Sequence, residues 1–283
     1  MRDYRMIFGN DYFSIWKRRP VESITRREVL ERYKLLCSQH GIGMANRAMR
    51  TLSSAFNYGK ATITSLENWS NPVMVLGETR SRRQLKPRTG HIPLATLPQW
   101  LNALNAYVEG ARYHEERRRF EDIQLLLILI LMTGLRSTEA RSLEWTDVDT
   151  SKGTITIRGD VAKNGREALL PLNRWLADLL ANRYSSSSKY VFANPSGKYI
   201  GNLNRPLKRI AELSGVRITL HDLRRTFATA LDASGTPFGA IKQLLNHRSS
   251  SDVTERYIQH RSLDDVRLYS DRVATLIRKS MVD

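Results

Sequence analysis

The sequence predicts a mostly α-helical protein with a small antiparallel β-sheet, and three observations carry that prediction. Apolar residues recur at helical spacing along most of the chain. Period-two alternation, the mark of a half-buried strand, is concentrated at Thr154-Ile155-Thr156-Ile157. A basic, acid-free stretch at residues 79–91 separates two helical regions. With 283 residues at 41% apolar content, the chain can build one large core or two smaller ones.

The first region, residues 1–78, reads as helices. Thr25-Arg26-Arg27-Glu28 is a capping box: Thr25 can cap the first turn while Glu28 reaches back. Behind it Val29, Leu30, Tyr33, Leu36 and Cys37 form an apolar stripe, and Gly41 supplies a stop. A second helix carries Met44, Ala48, Leu52, Ala55 and Phe56 on one face and ends near Gly59. Arg47 and Arg50 fall on its other face, where they are either solvated or aligned along a phosphate backbone. Cys37 is the single cysteine, which excludes an intrachain disulfide framework and any multi-cysteine zinc site.

The dividing stretch, TRSRRQLKPRTGH, holds Arg80, Arg82, Arg83, Lys86 and Arg88 with one Pro and one Gly. It reads as an extended linker. A basic linker suits two units that close around a duplex; a plain flexible tether is the alternative. The whole chain points the same way, since 45 basic against 28 acidic residues leave +17, a surplus that suggests a polyanionic partner such as nucleic acid. A basic but unrelated enzyme is the competing reading.

Beyond residue 92 helices resume. Eight apolar residues in a row, 125–132, lead through Thr133-Gly134-Leu135 into Arg136, so a guanidinium stands at the mouth of the most hydrophobic segment. The run is too short for a membrane span, which needs about 20 residues, and nothing resembles a signal peptide. A soluble, cytoplasmic protein is expected. Residues 116–122 are of mixed charge and read as a solvated face. Asn164-Gly165 is the strongest short hairpin turn signal, with Leu169-Leu170-Pro171-Leu172 as the return strand. Residues 185–188 read as a loop. In LHDLRRTFATALDASG, Leu223, Phe227, Ala230 and Leu231 form the buried face of a helix stopped by Gly235, and His221 and Arg224 share one side of its N-terminal end. In LLNHRSSSDVTERYIQH, Asn246 stands where a left-handed residue would end a helix, His247 follows, and Ser251-Asp252 can cap a helix bearing Tyr257.

The six histidines show no metal-binding spacing and no phosphate-binding glycine loop is present, so neither metal nor nucleotide cofactor is expected. Singly, each of these features has a bland explanation. Together, Arg136, Lys163, His221, Arg224, His247 and Tyr257 make an ordered set of donors with one potential nucleophile, which suits transesterification of a DNA phosphodiester. Two guanidiniums can fork onto the non-bridging oxygens. A phenol must lose its proton as it attacks, which cationic neighbours ease. The departing 5′-oxygen needs a proton from Lys or His.

On TGLRSTEARSLEWTDVD, AKNGREALLPL, LHDLRRTFAT and LLNHRSSSDVTERYIQH, in that order, the sequence resembles the tyrosine recombinase (phage integrase) family over residues 93–260, and more loosely in the helical region with its Asn71-Pro72. The resemblance implies a site-specific recombinase acting through a 3′-phosphotyrosyl intermediate without metal or ATP. Arg136 is similar to the family's first catalytic arginine, Glu139 to the acidic residue supporting it, and Lys163 to the hairpin lysine assigned as general acid. His221 and Arg224 match the H-x-x-R pair, His247 the following histidine, and Tyr257 the nucleophile. The family's L-G-H stands here as Leu245-Asn246-His247, which keeps the same backbone conformation accessible.

The implied architecture is a two-domain DNA clamp. It has a core-binding domain (1–78), the linker (79–91) and a catalytic domain with a C-terminal helical tail (92–283). The expected partner is double-stranded DNA, with a tetramer on the DNA, possible accessory bending or directionality factors, no membrane, and a nucleoid-associated location. Many phage integrases carry an arm-binding domain ahead of these helices; either this protein lacks it or the chain is truncated. The tail, residues 263–281, places Val266, Tyr269, Val273, Leu276 and Ile277 at helical spacing, for docking either on a neighbouring protomer or on its own domain. A Xer-like chromosome or plasmid resolvase is the alternative within the family. A non-catalytic DNA-binding regulator is the alternative outside it, and a metal-dependent nuclease or transposase a more distant one.

Overall fold

A computed structural model describes residues 2–9, 11–86, 89–247 and 261–280. Two compact units divide the chain, Met1–Arg88 and Thr89–Asp283.

The first unit holds α1 (Arg2–Gly9), α2 (Arg26–Thr62) and α3 (Val75–Glu78). The capping box forms at the start of α2: Glu28 N donates to Thr25 Oγ1 at 3.2 Å and Thr25 N donates to Glu28 Oε2 at 2.8 Å. The helical run is bent at Gly41, whose φ of 79° and ψ of 158° only glycine adopts without strain. Val29, Tyr33, Leu36 and Cys37 are buried before the bend. After it the buried stripe is Ala45, Ala48, Met49, Leu52 and Phe56; Met44 and Ala55 only flank it, half-buried. Three of the five expected residues, Ala48, Leu52 and Phe56, are thus buried, and the buried face is shifted from the expected one by less than one residue.

The segment expected to be an extended linker is anchored where it leaves this unit. Arg82 N donates to Leu76 O at 3.1 Å. Arg83 N donates to the Tyr33 hydroxyl at 2.8 Å, and Asn46 Nδ2 to Arg83 O at 2.9 Å. Two buried polar side chains, Tyr33 and Asn46, are satisfied by this arrangement. Arg80, Arg82, Arg83 and Lys86 are exposed, while Arg88 lies outside the described residues.

The second unit contains α4 (Leu97–Glu109), α5 (His114–Thr133), α6 (Ser137–Arg141), α7 (Arg174–Arg183), α8 (Asn204–Ser214), α9 (Leu220–Ala233), α10 (Phe238–Leu244) and α11 (Leu263–Lys279). Its sheet has the order β1 (Val148–Asp149), β2 (Thr154–Ile157), β3 (Ala168–Pro171), all antiparallel, with Ile155 opposite Leu170. The fold is thus mostly helical with a small antiparallel sheet. α5 is the centre of the core, packed by α4, α9 and α11. Its second half is apolar all round because it is buried all round, from Ile123 through Thr133 apart from Gln124. Burying each of its leucines stabilises the unit by roughly 1.5–3 kcal/mol.

Three expectations are sharpened here. The hairpin signalled by Asn164-Gly165 forms between β2 and β3, but with a long connection: β2 ends at Ile157, β3 begins at Ala168, and the pair sits in a turn closed by Gly165 N to Ala162 O at 2.9 Å within residues 158–167. Residues 116–122 are not a plain solvated face. Asp122 accepts from Arg183 at 2.7 Å and Phe120 stacks on Tyr107 at 4.2 Å. The tail packs on its own unit: α11 lies against β3, α5, α9 and α10 with Val266, Val273 and Ile277 buried, and Arg267 donates to Gly153 O at 2.8 Å. No described helix is long and apolar enough to cross a membrane.

Candidate active site

Gly134 ends α5 in the left-handed conformation, φ 66°. A Cβ there would meet the Phe227 ring at 2.6 Å and a Leu245 methyl at 2.8 Å, so the absence of a side chain lets α5, α9 and the end of α10 close together. The chain turns at this point and places Arg136 at the start of α6. Glu139, one turn on, is buried and grips Arg136 twice: its Oε2 accepts from Arg136 N at 2.8 Å and its Oε1 from Nη1 at 2.7 Å.

Arg224 comes from the first turns of α9, which begins with a second box in which Thr219 N donates to Asp222 Oδ2 at 2.8 Å. Only 7% of Arg224 is exposed. Its Nη1 donates to Gly134 O at 2.7 Å and its Nη2 to Leu245 O at 2.5 Å. Arg136 Nη2 donates to the next carbonyl, Asn246 O, at 3.3 Å. Two arginines 88 positions apart in the sequence thus grip consecutive peptide groups of one turn. That turn has Asn246 at φ 43°, as its sequence predicts, and is closed by His247 N donating to Lys242 O at 2.9 Å.

The electrostatics follow from this burial. Among the described residues, two guanidiniums share the one carboxylate of Glu139, which leaves a surplus of positive charge at a largely buried site. Burial first, and the neighbouring Arg136 second, push the Arg224 guanidinium down to about 10; Glu139 opposes this. Arg224 stays charged at neutral pH, and an arriving anion would relieve the repulsion. His221, at the surface on the first turn of α9, is held below its ordinary value by partial desolvation and then by Arg225 and Arg224. It is therefore mainly neutral near pH 7.

Of the residues singled out in the sequence, Arg136, Glu139, Arg224 and the turn before His247 are brought together. His221 lies one turn from Arg224. His247 and Lys163 are exposed, the latter on the β2–β3 connection, and Tyr257 lies outside the described residues. Arg47 and Arg50 are exposed on α2 of the first unit. Sequence reasoning missed the Leu245 carbonyl as an anchor and missed Asn164, whose Nδ2 donates to Asn246 Oδ1 at 3.2 Å. No local pattern announces a contact between residues so far apart. Among the described residues no group of three or more His, Cys, Asp or Glu side chains is arranged to hold a metal ion.

Residues 101–263 match the family model described as the phage integrase family. The prophage integrase IntZ of Escherichia coli (strain K12) is 28% identical over 246 residues, covering 83% of this chain and 55% of that protein. The tyrosine recombinase XerA of Thermococcus kodakarensis is 33% identical over 137 residues, 45% of this chain and 48% of that protein. The chain therefore spans about half the length of these relatives. A solved lambda integrase (75–356) dimer bound to a COC′ core site shares the fold with a TM-score of 0.67 at 17% identity, over 92% of this chain and 90% of that one.

Proposed function

This chain belongs to the phage integrase family, and from that premise we propose that it cleaves and rejoins DNA strands at specific sites by transesterification, through a covalent 3′-phosphotyrosyl intermediate on Tyr257. The observation that carries the proposal is the pair of guanidiniums, from α6 and α9, fixed on the consecutive carbonyls of Leu245 and Asn246. Each keeps N–H groups beyond those bonds, so each can donate to a non-bridging phosphate oxygen.

In this reading the Tyr257 oxygen attacks phosphorus and gives up its proton. Negative charge grows on the non-bridging oxygens, where Arg136 and Arg224 stabilise it without reorganising, because Glu139 and the two carbonyls already hold them. The bond from phosphorus to the 5′-oxygen breaks, and Lys163 hands that oxygen a proton. Rejoining reverses these steps with a 5′-hydroxyl from another strand as nucleophile. His221, neutral in the free protein, and His247 are further donors beside the phosphate. No metal or nucleotide takes part.

Arg47, Arg50, Arg80, Arg82, Arg83, Lys86 and Arg88 contact phosphates along the duplex in this proposal, and four copies assemble on two DNA segments in the cell's nucleoid. A Xer-like resolvase is the second reading, since prophage integrases and Xer recombinases both resemble the chain. The test is incubation with a nicked duplex carrying its site, in the presence of EDTA, followed by a denaturing gel. Wild-type protein is expected to give a covalent protein–DNA adduct, and Tyr257→Phe to bind the duplex but give none. An adduct that survives in Tyr257→Phe, or that needs a divalent ion, would overturn the assignment.

A further inference from the structure

Asn246 adopts a φ of 43°, a conformation in which glycine is the least strained residue, so the backbone alone does not call for a side chain there. The side chain is nonetheless present and 94% buried, given a residue exposure of 6%. Its Nδ2 has no hydrogen-bond acceptor among the described residues. Burying an unsatisfied donor is destabilising relative to glycine.

The other end of the side chain, Oδ1, accepts from Asn164 Nδ2 at 3.2 Å. The direction of this bond is set from the far side. Arg166 N donates to Asn164 Oδ1 at 3.3 Å, which leaves only the Asn164 amide nitrogen to face Asn246. The start of the connection is tied down separately, where Arg158 reaches Asp147, Glu144 and Ser142 O, and the backbone bonds beyond it stay local: Val161 N and Ala162 N donate to Arg158 O, and Gly165 N to Ala162 O. Among the described residues, Asn164 to Asn246 is the one hydrogen bond leading from residues 163–166 to another part of the chain. Asn246 meanwhile touches the arginine centre through its main chain, where its carbonyl accepts from Arg136 Nη2 at 3.3 Å.

We propose that the Asn246 and Asn164 side chains form a latch that positions the Lys163 loop over the arginine centre, so that Asn246 acts on proton delivery through Lys163 rather than on the phosphate. The inference rests on the reading of Lys163 as the donor to the departing 5′-oxygen. The latch has two halves, one next to Lys163 in sequence and one covalently continuous with the turn that the arginines grip. A glycine at position 246 would preserve the turn and release the loop.

Asn246→Gly, Asn164→Ala and the double variant of the full chain test this in two ways. The first readout needs no chemistry: amide hydrogen exchange of the free protein. All three variants are expected to exchange faster at residues 159–167, with α5 and α9 unchanged and Asn246→Gly no less stable than wild type. Unaltered exchange in the loop would overturn the latch whether or not the protein cleaves DNA. The second readout is single-turnover cleavage of a duplex with an ordinary 5′-oxygen, and of one with sulfur at that bridging position. Each variant is expected to slow the oxygen substrate by roughly ten- to a hundredfold and to cleave the sulfur substrate near the wild-type rate, since a thiolate departs unprotonated. The double variant is expected to be no slower than either single one, because both break the same contact. Equal slowing of both substrates, or additive losses, would show that the side chains serve something other than Lys163. A wild-type protein that yields no adduct would instead sink the proposed function, with the exchange experiment still deciding on the latch.

Discussion

The arginine centre and the lysine loop meet at one turn, residues 245–247, yet they are mounted in opposite ways. Arg136 and Arg224 are partly or wholly buried, and each is tied at two or more atoms to groups in the core: Glu139, Gly134 O, Leu245 O and Asn246 O. Lys163 is exposed on a connection whose tip has one side-chain bond to the rest of the unit. The difference matches the two kinds of work proposed for them. A charge that stabilises non-bridging oxygens acts best from a fixed, water-poor position. A proton donor has to follow a leaving oxygen and regain its proton from solvent, which favours a mobile, wet mounting.

The largest expected effect comes from weakening the rigid side. Arg224→Lys keeps the charge and loses the fork, so the two carbonyls of Gly134 and Leu245 cannot both be satisfied. Single-turnover cleavage is expected to fall by roughly a hundred- to a thousandfold, with duplex affinity little changed. Bridging sulfur should not restore it, whereas it should restore Lys163→Ala. If sulfur rescues Arg224→Lys as well, the two regions share one role and the contrast between them fails.

Glycines measure the same contrast in stability. Gly134 and Gly165 both have positive φ, 66° and 69°, one in each region. Alanine at either position meets the left-handed penalty of roughly 1–2 kcal/mol. At Gly134 its Cβ would also press on Phe227 and Leu245, whereas at Gly165 it meets nothing within 4 Å. Overpacking adds roughly 1–3 kcal/mol. Urea unfolding should therefore show Gly134→Ala as the more destabilised variant by about that added amount. Equal midpoints would mean that the core around Gly134 yields as readily as the loop does.

Much of the rigid region could be read in the sequence, and for a physical reason. Its pieces are local: the apolar run of α5, the left-handed Asn246 that ends α10, and the His221 and Arg224 spacing each depend on neighbours within a turn or two. The order of motifs then supplied the site by resemblance. The sheet strand at Thr154–Ile157 was also legible, since its alternation is local. What could not be read depends on distance in the chain. The side of α2 that is buried follows from what packs against it, so Met49 rather than Met44 enters the core. Asn164-Gly165 carries a strong turn signal, but strand pairing begins only at Ala168, because strand ends are set by the partner strand. The anchoring of Arg83 by Tyr33 and Asn46, and of Asn164 by Asn246, joins residues whose separation no periodicity encodes.

His221 offers the smallest and most selective probe, because it lies beside the rigid centre yet remains at the surface. Its pKa is lowered by partial burial, then by Arg225, Arg224 and, more weakly, Arg136, while Asp222 opposes them. A histidine held below its ordinary value binds its proton less readily when folded than when unfolded. Stability is therefore expected to fall as the pH drops from about 6.5 toward the folded pKa, and to level off below it. His221→Gln removes that group, so the variant should lose less stability than wild type across this window, as measured by thermal unfolding at a series of pH values. Parallel curves would mean that the histidine is as well solvated folded as unfolded. Removing single charges then ranks the sources: by proton NMR of the His221 ring, Arg225→Gln should raise its pKa more than Arg136→Gln does. The reverse order would place the ring over the arginine centre rather than along the flank of α9, and His221 would then compete with Lys163 for the departing oxygen.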